Sequence, residues 1–237
     1  MTSAACTLAD ITITYSGRHW KPSHAGVPIL VIANHPPQVG FPFLYDSIYR
    51  FTGRQVVKVV AKDTLNPVFR WPLQALGLVT CIRREDRESS LERLSSTVVG
   101  EEDVLLLFPD QSRYSQGAVN EQREKYKDAV PAIDELLRYV LVPKTGGLLA
   151  ILRQLPDNAL VIDLTLAIST SAWSDAASIN WADSTLYVHG DYFRVHELPL
   201  DEPCLRDWLV SRWRKKARRI ASLRAAKRPQ DTSSIDS

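Results

Sequence analysis

An α/β fold follows from the sequence: a single domain with a mostly parallel central sheet flanked by helices. Three observations predict it. Apolar runs of strand length, rich in β-branched residues, stand at residues 27–33, 104–108 and 159–168, and such runs suit strands buried on both faces of a parallel sheet. Segments with helical spacing lie between these runs, and strands alternating with helices describe a sheet covered on both sides. The chain has 237 residues, 45% hydrophobic and 24% charged, enough for one large core. We expect residues 1–27 to form an N-terminal edge segment, 28–228 the main domain with a basic C-terminal helix, and 229–237 a disordered tail.

In chain order, residues 11–15 alternate Ile-Thr-Ile-Thr-Tyr, the pattern of a first, edge strand. The run 27–33 is the central strand, broken abruptly by Asn34-His35-Pro36-Pro37. Residues 41–51 read as a helix on which Phe43, Leu44, Ile48 and Phe51 share one face. A second β-rich run spans 55–61. Asn66-Pro67 opens a helix, because a proline in the first turn loses no hydrogen bond, and Pro72 bends or shortens it. Residues 78–82 are a third short strand and 89–99 a helix closed by Gly100. Residues 104–108 form a fourth strand, stopped by Pro109. Residues 121–127 are charged and solvated; 132–139 and 147–155 are helical. Strands follow at 159–168, alternating around Asp163, and at 186–190. The long helix 205–226 carries an apolar line at Leu205, Leu209, Trp213, Ala217 and Ile220.

Composition narrows the function classes. Cys6, Cys81 and Cys204 lie far apart with no C-x-x-C pair, which argues against a zinc site or a disulfide scaffold and suits a reducing cytosol. No secretory leader is visible, and no apolar run approaches the roughly 18–20 residues that span a bilayer. The expected location is cytoplasmic, with peripheral contact on the inner face of a membrane. The formal net charge of +2 hides an asymmetry: residues 206–228 hold ten Lys or Arg against Asp207, leaving 19 basic and 26 acidic residues elsewhere. Such a segment points to an anionic partner. We expect lipid or anion contact from the half beyond Trp213 and packing of the apolar line before it. Nucleic acid is not expected, because basic and aromatic residues are not interleaved elsewhere.

Three buried strands end in polar features: Asn34-His35, Arg83-Arg84 and Pro109-Asp110-Gln111-Ser112-Arg113. Carboxyl ends of parallel strands lie on one side of a sheet, where α/β folds bind ligands. A neutral imidazole there suits activation of a hydroxyl, and a guanidinium fork suits an anionic group. Taken singly, each feature has a plainer role: His35 as a turn residue, the arginines as solvated surface.

In order and spacing these stretches resemble the lysophosphatidic acid (1-acylglycerol-3-phosphate) acyltransferases, in particular their bacterial branch. The N-H-x-x-x-x-D block is similar to Asn34-His35-Pro36-Pro37-Gln38-Val39-Gly40, and G-x-x-F-I-x-R to residues 77–83. F-P-E-G-T-R is similar to Phe108-Pro109-Asp110-Gln111-Ser112-Arg113. Leu141-Val142-Pro143-Lys144-Thr145-Gly146-Gly147 with Asp163-Leu164-Thr165 matches a later block, and the likeness runs over about residues 28–220. The resemblance implies a glycerol-phosphate acyltransferase-like fold. It also implies acyl transfer from acyl-CoA or acyl-carrier protein to the hydroxyl of a lysophospholipid-type acceptor, with no metal or redox cofactor. His35 would be the general base and Asp110 would help shape the catalytic pocket; Asn34, Arg83, Ser112, Arg113 and Lys144 would bind substrate. Two positions depart from the motifs. Gly40 stands where the family has the aspartate that holds its histidine, and Asp110-Gln111 replaces Glu-Gly. Asp46, eleven residues beyond His35, lies too far along one helix to stand in unless the chain bends at Pro42. Alternatives implied are a catalytically impaired homologue that binds lipid or acyl thioester, and an acyltransferase for a non-phosphate acceptor.

Overall fold

The computed structural model describes residues 5–8, 11–17, 26–35, 41–62, 79–82, 88–89, 92, 94, 100–110, 112–169 and 185–226. Among the described residues eight strands form one sheet: β1 (Ala5–Leu8), β2 (Ile11–Gly17), β3 (Ile29–Ala33), β4 (Val57–Lys62), β5 (Val79–Ile82), β6 (Val104–Leu107), β7 (Leu160–Ile168) and β8 (Thr185–Arg194). Their spatial order is β1-β2-β8-β7-β3-β6-β4-β5. The five strands from β7 to β5 are mutually parallel; β8 turns antiparallel to β7, β2 runs parallel to β8, and β1 antiparallel to β2. The mostly parallel sheet is therefore as the apolar runs require. The edge position is corrected: β2 is the second strand, because β1 pairs along its outer side through Ala5↔Thr14 to Leu8↔Ile11.

Both faces of the sheet are covered. On one face α1 (Phe41–Thr52) packs Leu44, Ile48 and Phe51 over Ile29, Val31, Leu106, Ile162 and Val188. Phe51 lies so close to Gly190 that a Cβ there would meet its ring at 2.7 Å; only glycine lets this helix seat. On the opposite face lie α2 (Gln116–Tyr126), α3 (Ile133–Leu137), α4 (Gly146–Leu152) and α5 (Glu202–Ala226). The line Leu205, Leu209, Trp213, Ala217 and Ile220 of α5 is buried with Leu30, Ile32, Leu105 and Val161.

The charged stretch 121–127 is the back of α2, which opens at Ser115, whose hydroxyl accepts from the amide of Ala118. The two short helices keep their places with shifted ends, and β8 runs four residues beyond the expected run, since its outer half is too polar to show as an apolar segment. The helix expected at Asn66-Pro67 and the tail lie outside the described residues. No helix among the described residues is long and apolar enough to cross a membrane.

Candidate active site

Register places the site. β3 and β6 are neighbours with Ile32 opposite Leu107, and three residues further along each strand stand His35 and Asp110. Residues 75 apart in sequence thus meet at the carboxyl edge of the sheet. Asp110 is buried, 4% exposed, and its two oxygens grip one residue: Oδ2 accepts from the backbone N–H of His35 at 2.9 Å, and Oδ1 contacts His35 Nδ1. A carboxylate accepts only, so the Nδ1 proton faces Asp110 and Nε2 is left with its lone pair. The imidazole also stacks on Phe108, centroids 4.3 Å apart. Its tautomer and its ring plane are both fixed.

The carboxylate that holds His35 in this structure is thus Asp110, while position 40 is glycine. Asp46 takes no part: its Oδ2 accepts from Tyr15 Oη at 2.7 Å and from Arg50 Nε at 2.8 Å. Burial, together with the Asp46 contact, pushes the Tyr15 hydroxyl well above the usual tyrosine range.

The remaining expected site residues fall into three groups. Asn34, expected to bind substrate, takes part in the scaffold of this edge. It is 2% exposed, donates to Leu166 O at 3.0 Å and accepts from Leu166 N at 2.9 Å. Its side chain continues the β3–β7 ladder past the end of β3 and anchors the turn that presents His35. Ser112, Arg113 and Lys144 are brought to the same rim. Ser112 is half-buried and Arg113 exposed on the loop leaving Asp110, and the Lys144 amide donates to Pro109 O at 2.9 Å. That bond ties the Pro-Lys-Thr-Gly-Gly block to the Phe-Pro-Asp block. Arg83 and Gly40 lie outside the described residues. β5, which leads to Arg83, is parallel to β3 but three strands away, about 14 Å at ordinary strand spacing.

A second polar cluster escaped the sequence reading. Asp163 and Asp191 face each other across β7 and β8, a like-charge pair that is unfavourable unless clamped. Arg212 of α5 clamps it, with Nε 2.6 Å from Asp163 Oδ2 and Nη2 on Asp191 Oδ2; Arg219 adds a contact to Asp191 at 3.1 Å. Lys216 is fully buried, with Nζ 2.5 Å from Asp163 Oδ1 and bonded to the carbonyl of Leu164. The bases of α5 divide by face: Arg212 and Lys216 point inward, while Lys215 and Arg218 are exposed. The signal was present, since a lone aspartate sits in an otherwise apolar strand and two bases lie four apart beside the buried line of a helix.

The titration of these groups follows from their partners. The His189 contact, then Arg212 and Arg219, holds the Asp191 carboxyl well below the usual range, burial opposing them. Burial lowers Lys216 against the pull of Asp163. Burial also works to lower Arg212, but Asp163 and Asp191 outweigh it and raise it. Among the described residues, no group of three or more His, Cys, Asp or Glu is placed to hold a metal.

With this geometry established, similarity to known proteins assigns the chain. The model of the family described as Acyltransferase matches residues 12–163, well over half of the sequence. The chain belongs to the acyltransferase family. Among curated proteins, this acyltransferase-family chain is 26% identical over 195 residues to the probable 1-acyl-sn-glycerol-3-phosphate acyltransferase 5 of Arabidopsis thaliana, covering 79% of the chain and 51% of that protein. It is 23% identical over 234 residues to lysocardiolipin acyltransferase 1 of Mus musculus, covering 91% and 58%. It spans about half the length of such relatives. The crystal structure of the 1-acyl-sn-glycerophosphate (LPA) acyltransferase PlsC from Thermotoga maritima shares the fold, with TM-score 0.53 at 14% identity, covering 90% of this chain and 73% of that one.

Proposed function

We propose that this protein transfers an acyl group from an acyl thioester, acyl-CoA or acyl-carrier protein, to the free hydroxyl of a lysophospholipid-type acceptor, with His35 as general base. The observation that carries it is the double grip of Asp110 on His35, which leaves Nε2 as the basic nitrogen. Nε2 takes the hydroxyl proton as the oxygen attacks the thioester carbonyl. The carbon–sulfur bond then breaks, and the imidazolium returns the proton to the departing thiolate. Asp110, buried beside Nδ1, stabilises the imidazolium while it exists.

The acceptor's phosphate is assigned to Arg113 and Arg83, with Lys144 adding positive charge and Ser112 a hydroxyl at the same rim. No metal or redox cofactor is invoked, because the thioester carries the driving force. Contact with an anionic membrane surface is assigned to the exposed bases of α5, Lys215 and Arg218 among them, with the protein peripheral on the cytoplasmic face.

Acyl transfer measured with both donor types and a panel of lysophospholipid and non-phosphate acceptors tests the reading. We expect thioester-dependent acylation that favours phosphate-bearing acceptors, and a loss of about 10²–10⁴-fold in His35→Ala. Activity surviving that substitution removes His35 as the base.

A further inference from the structure

We propose that Gln122 is a positioning residue for the acceptor's phosphate: its buried amide fixes the segment that carries Lys144 against the loop that carries Ser112 and Arg113, so that both cations bear on one anion. This rests on the reading of Arg113 and Lys144 as holders of that phosphate, and names the group that sets their spacing.

The requirement begins with the backbone. Residues 141–144 are neither helix nor strand, yet Leu141, Val142 and Pro143 are buried. Buried backbone donors outside regular structure must find partners elsewhere in the chain. Pro143 has no N–H to satisfy. On either side of it, Val142 N donates to Gln122 Oε1 at 2.6 Å and Lys144 N to Pro109 O at 2.9 Å. Both acceptors belong to one stretch, which runs from the Asp110 turn through the Ser112–Arg113 loop into α2. A third bond, from Tyr114 Oη to Leu137 O at 2.7 Å, laces the same two stretches together. Gln122 lies with Val119 on the inward face of α2, 8% exposed, while Glu121 and Glu124 face solvent. An apolar side chain would fill that face as well; the amide supplies an acceptor where the Val142 donor needs one. Residues 109–122, the Gln122 bond, residues 142–144 and the Lys144 bond thus close a ring. Ser112, Arg113 and Lys144 all lie on it. Opening the ring at Gln122 spares the catalytic pair, because Asp110 and His35 hold each other through bonds of their own. It frees the Lys144 segment to shift against Arg113, and cations set for one anion lose grip when their spacing slackens.

Gln122→Met keeps the length of the side chain and removes the acceptor. Acyl transfer by this variant is measured with a lysophosphatidate and with a monoacylglycerol, which has no phosphate. We expect KM for the first to rise about tenfold with kcat within about twofold, and KM for the second to stay in place. A control in the core, Leu209→Ala, lowers Tm without separating the two acceptors. Equal changes in both KM values, or a fall in kcat alone, overturn the proposal and leave Gln122 a structural bond. A second arm needs no turnover: inorganic phosphate is titrated while the backbone amides of Arg113 and Lys144 are followed by nuclear magnetic resonance. The midpoint is expected to rise about tenfold in Gln122→Met, and an unchanged midpoint overturns the proposal. Should Gln122→Met fail to fold, Tyr114→Phe opens the same lacing at its third bond and is expected to raise the midpoint in the same direction; no rise there overturns it equally. A wild type that binds phosphate without acylating contradicts the acyl-transfer reading and leaves this one standing. A wild type whose Arg113 and Lys144 amides ignore phosphate overturns this one.

Discussion

His35 and His189 each contact an aspartate, yet the two pairs are built in opposite ways. At the rim, Asp110 spends both oxygens on His35, and the ring is stacked and mostly shielded, its side chain 16% exposed. On the α5 face, His189 sits between Ser16 Oγ at 3.0 Å and Asp191 Oδ1 at 3.2 Å, a Ser-His-Asp sequence of contacts. Ser16 is exposed, and Asp191 is already claimed by Arg212 and Arg219. Asp191 thus divides its oxygens, Oδ2 to the guanidinium groups and Oδ1 to His189. Proximity of the residue types is therefore not enough; what decides is which partner the carboxylate's charge is spent on.

The widest separation between the two pairs is in turnover. His35→Ala is expected to lower kcat by about 10²–10⁴-fold, while His189→Ala stays within about twofold; comparable losses from both collapse the distinction. Stability separates them in reverse. Asp163→Ala strands Arg212 and Lys216 in the core and is expected to cost about 3–5 kcal/mol, visible as a large fall in Tm, whereas His35→Ala leaves Tm nearly unchanged.

A smaller effect comes from pH. The folded Asp191 carboxyl is held below its unfolded range, first by His189 and then by Arg212 and Arg219. Its contribution is present above the ordinary aspartate value of about 4 and is lost as pH falls below it. Thermal melts of the wild type and Asp191→Asn should differ most near neutrality and converge as pH falls below about 4. The smallest effect is expected at position 40. Gly40→Asp should change kcat by less than about threefold, because Nδ1 of His35 already has its carboxylate; a large gain would show that Asp110 does not serve that role.

The strands were legible because burial on both faces forces continuous apolar runs, and the polar breaks at Asn34, Pro109 and Lys144 were legible because they interrupt those runs. Register was not, and register is what joins His35 to Asp110 across 75 residues. The glycine at position 40 consequently left His35 without a visible carboxylate, although one from the neighbouring strand's end contacts it. The partners of Asn34 were hidden for a related reason: nothing in the sequence shows that the adjacent strand bonds both ends of its amide. The inward turn of Arg212 and Lys216 was hidden within a run of bases whose other members face solvent. Composition reports charge, not the face of a helix on which it lies.

The central claim is that Asp110 replaces the carboxylate absent from position 40. Steady-state acyl transfer by Asp110→Asn tests it most directly, since asparagine keeps the shape and an acceptor for the His35 amide but not the charge. The account predicts a fall in kcat of at least about 10²-fold with KM for the acceptor little changed, the equivalent loss in a serine-protease triad being about 10⁴-fold. An Asp110→Asn enzyme that turns over like the wild type would contradict it.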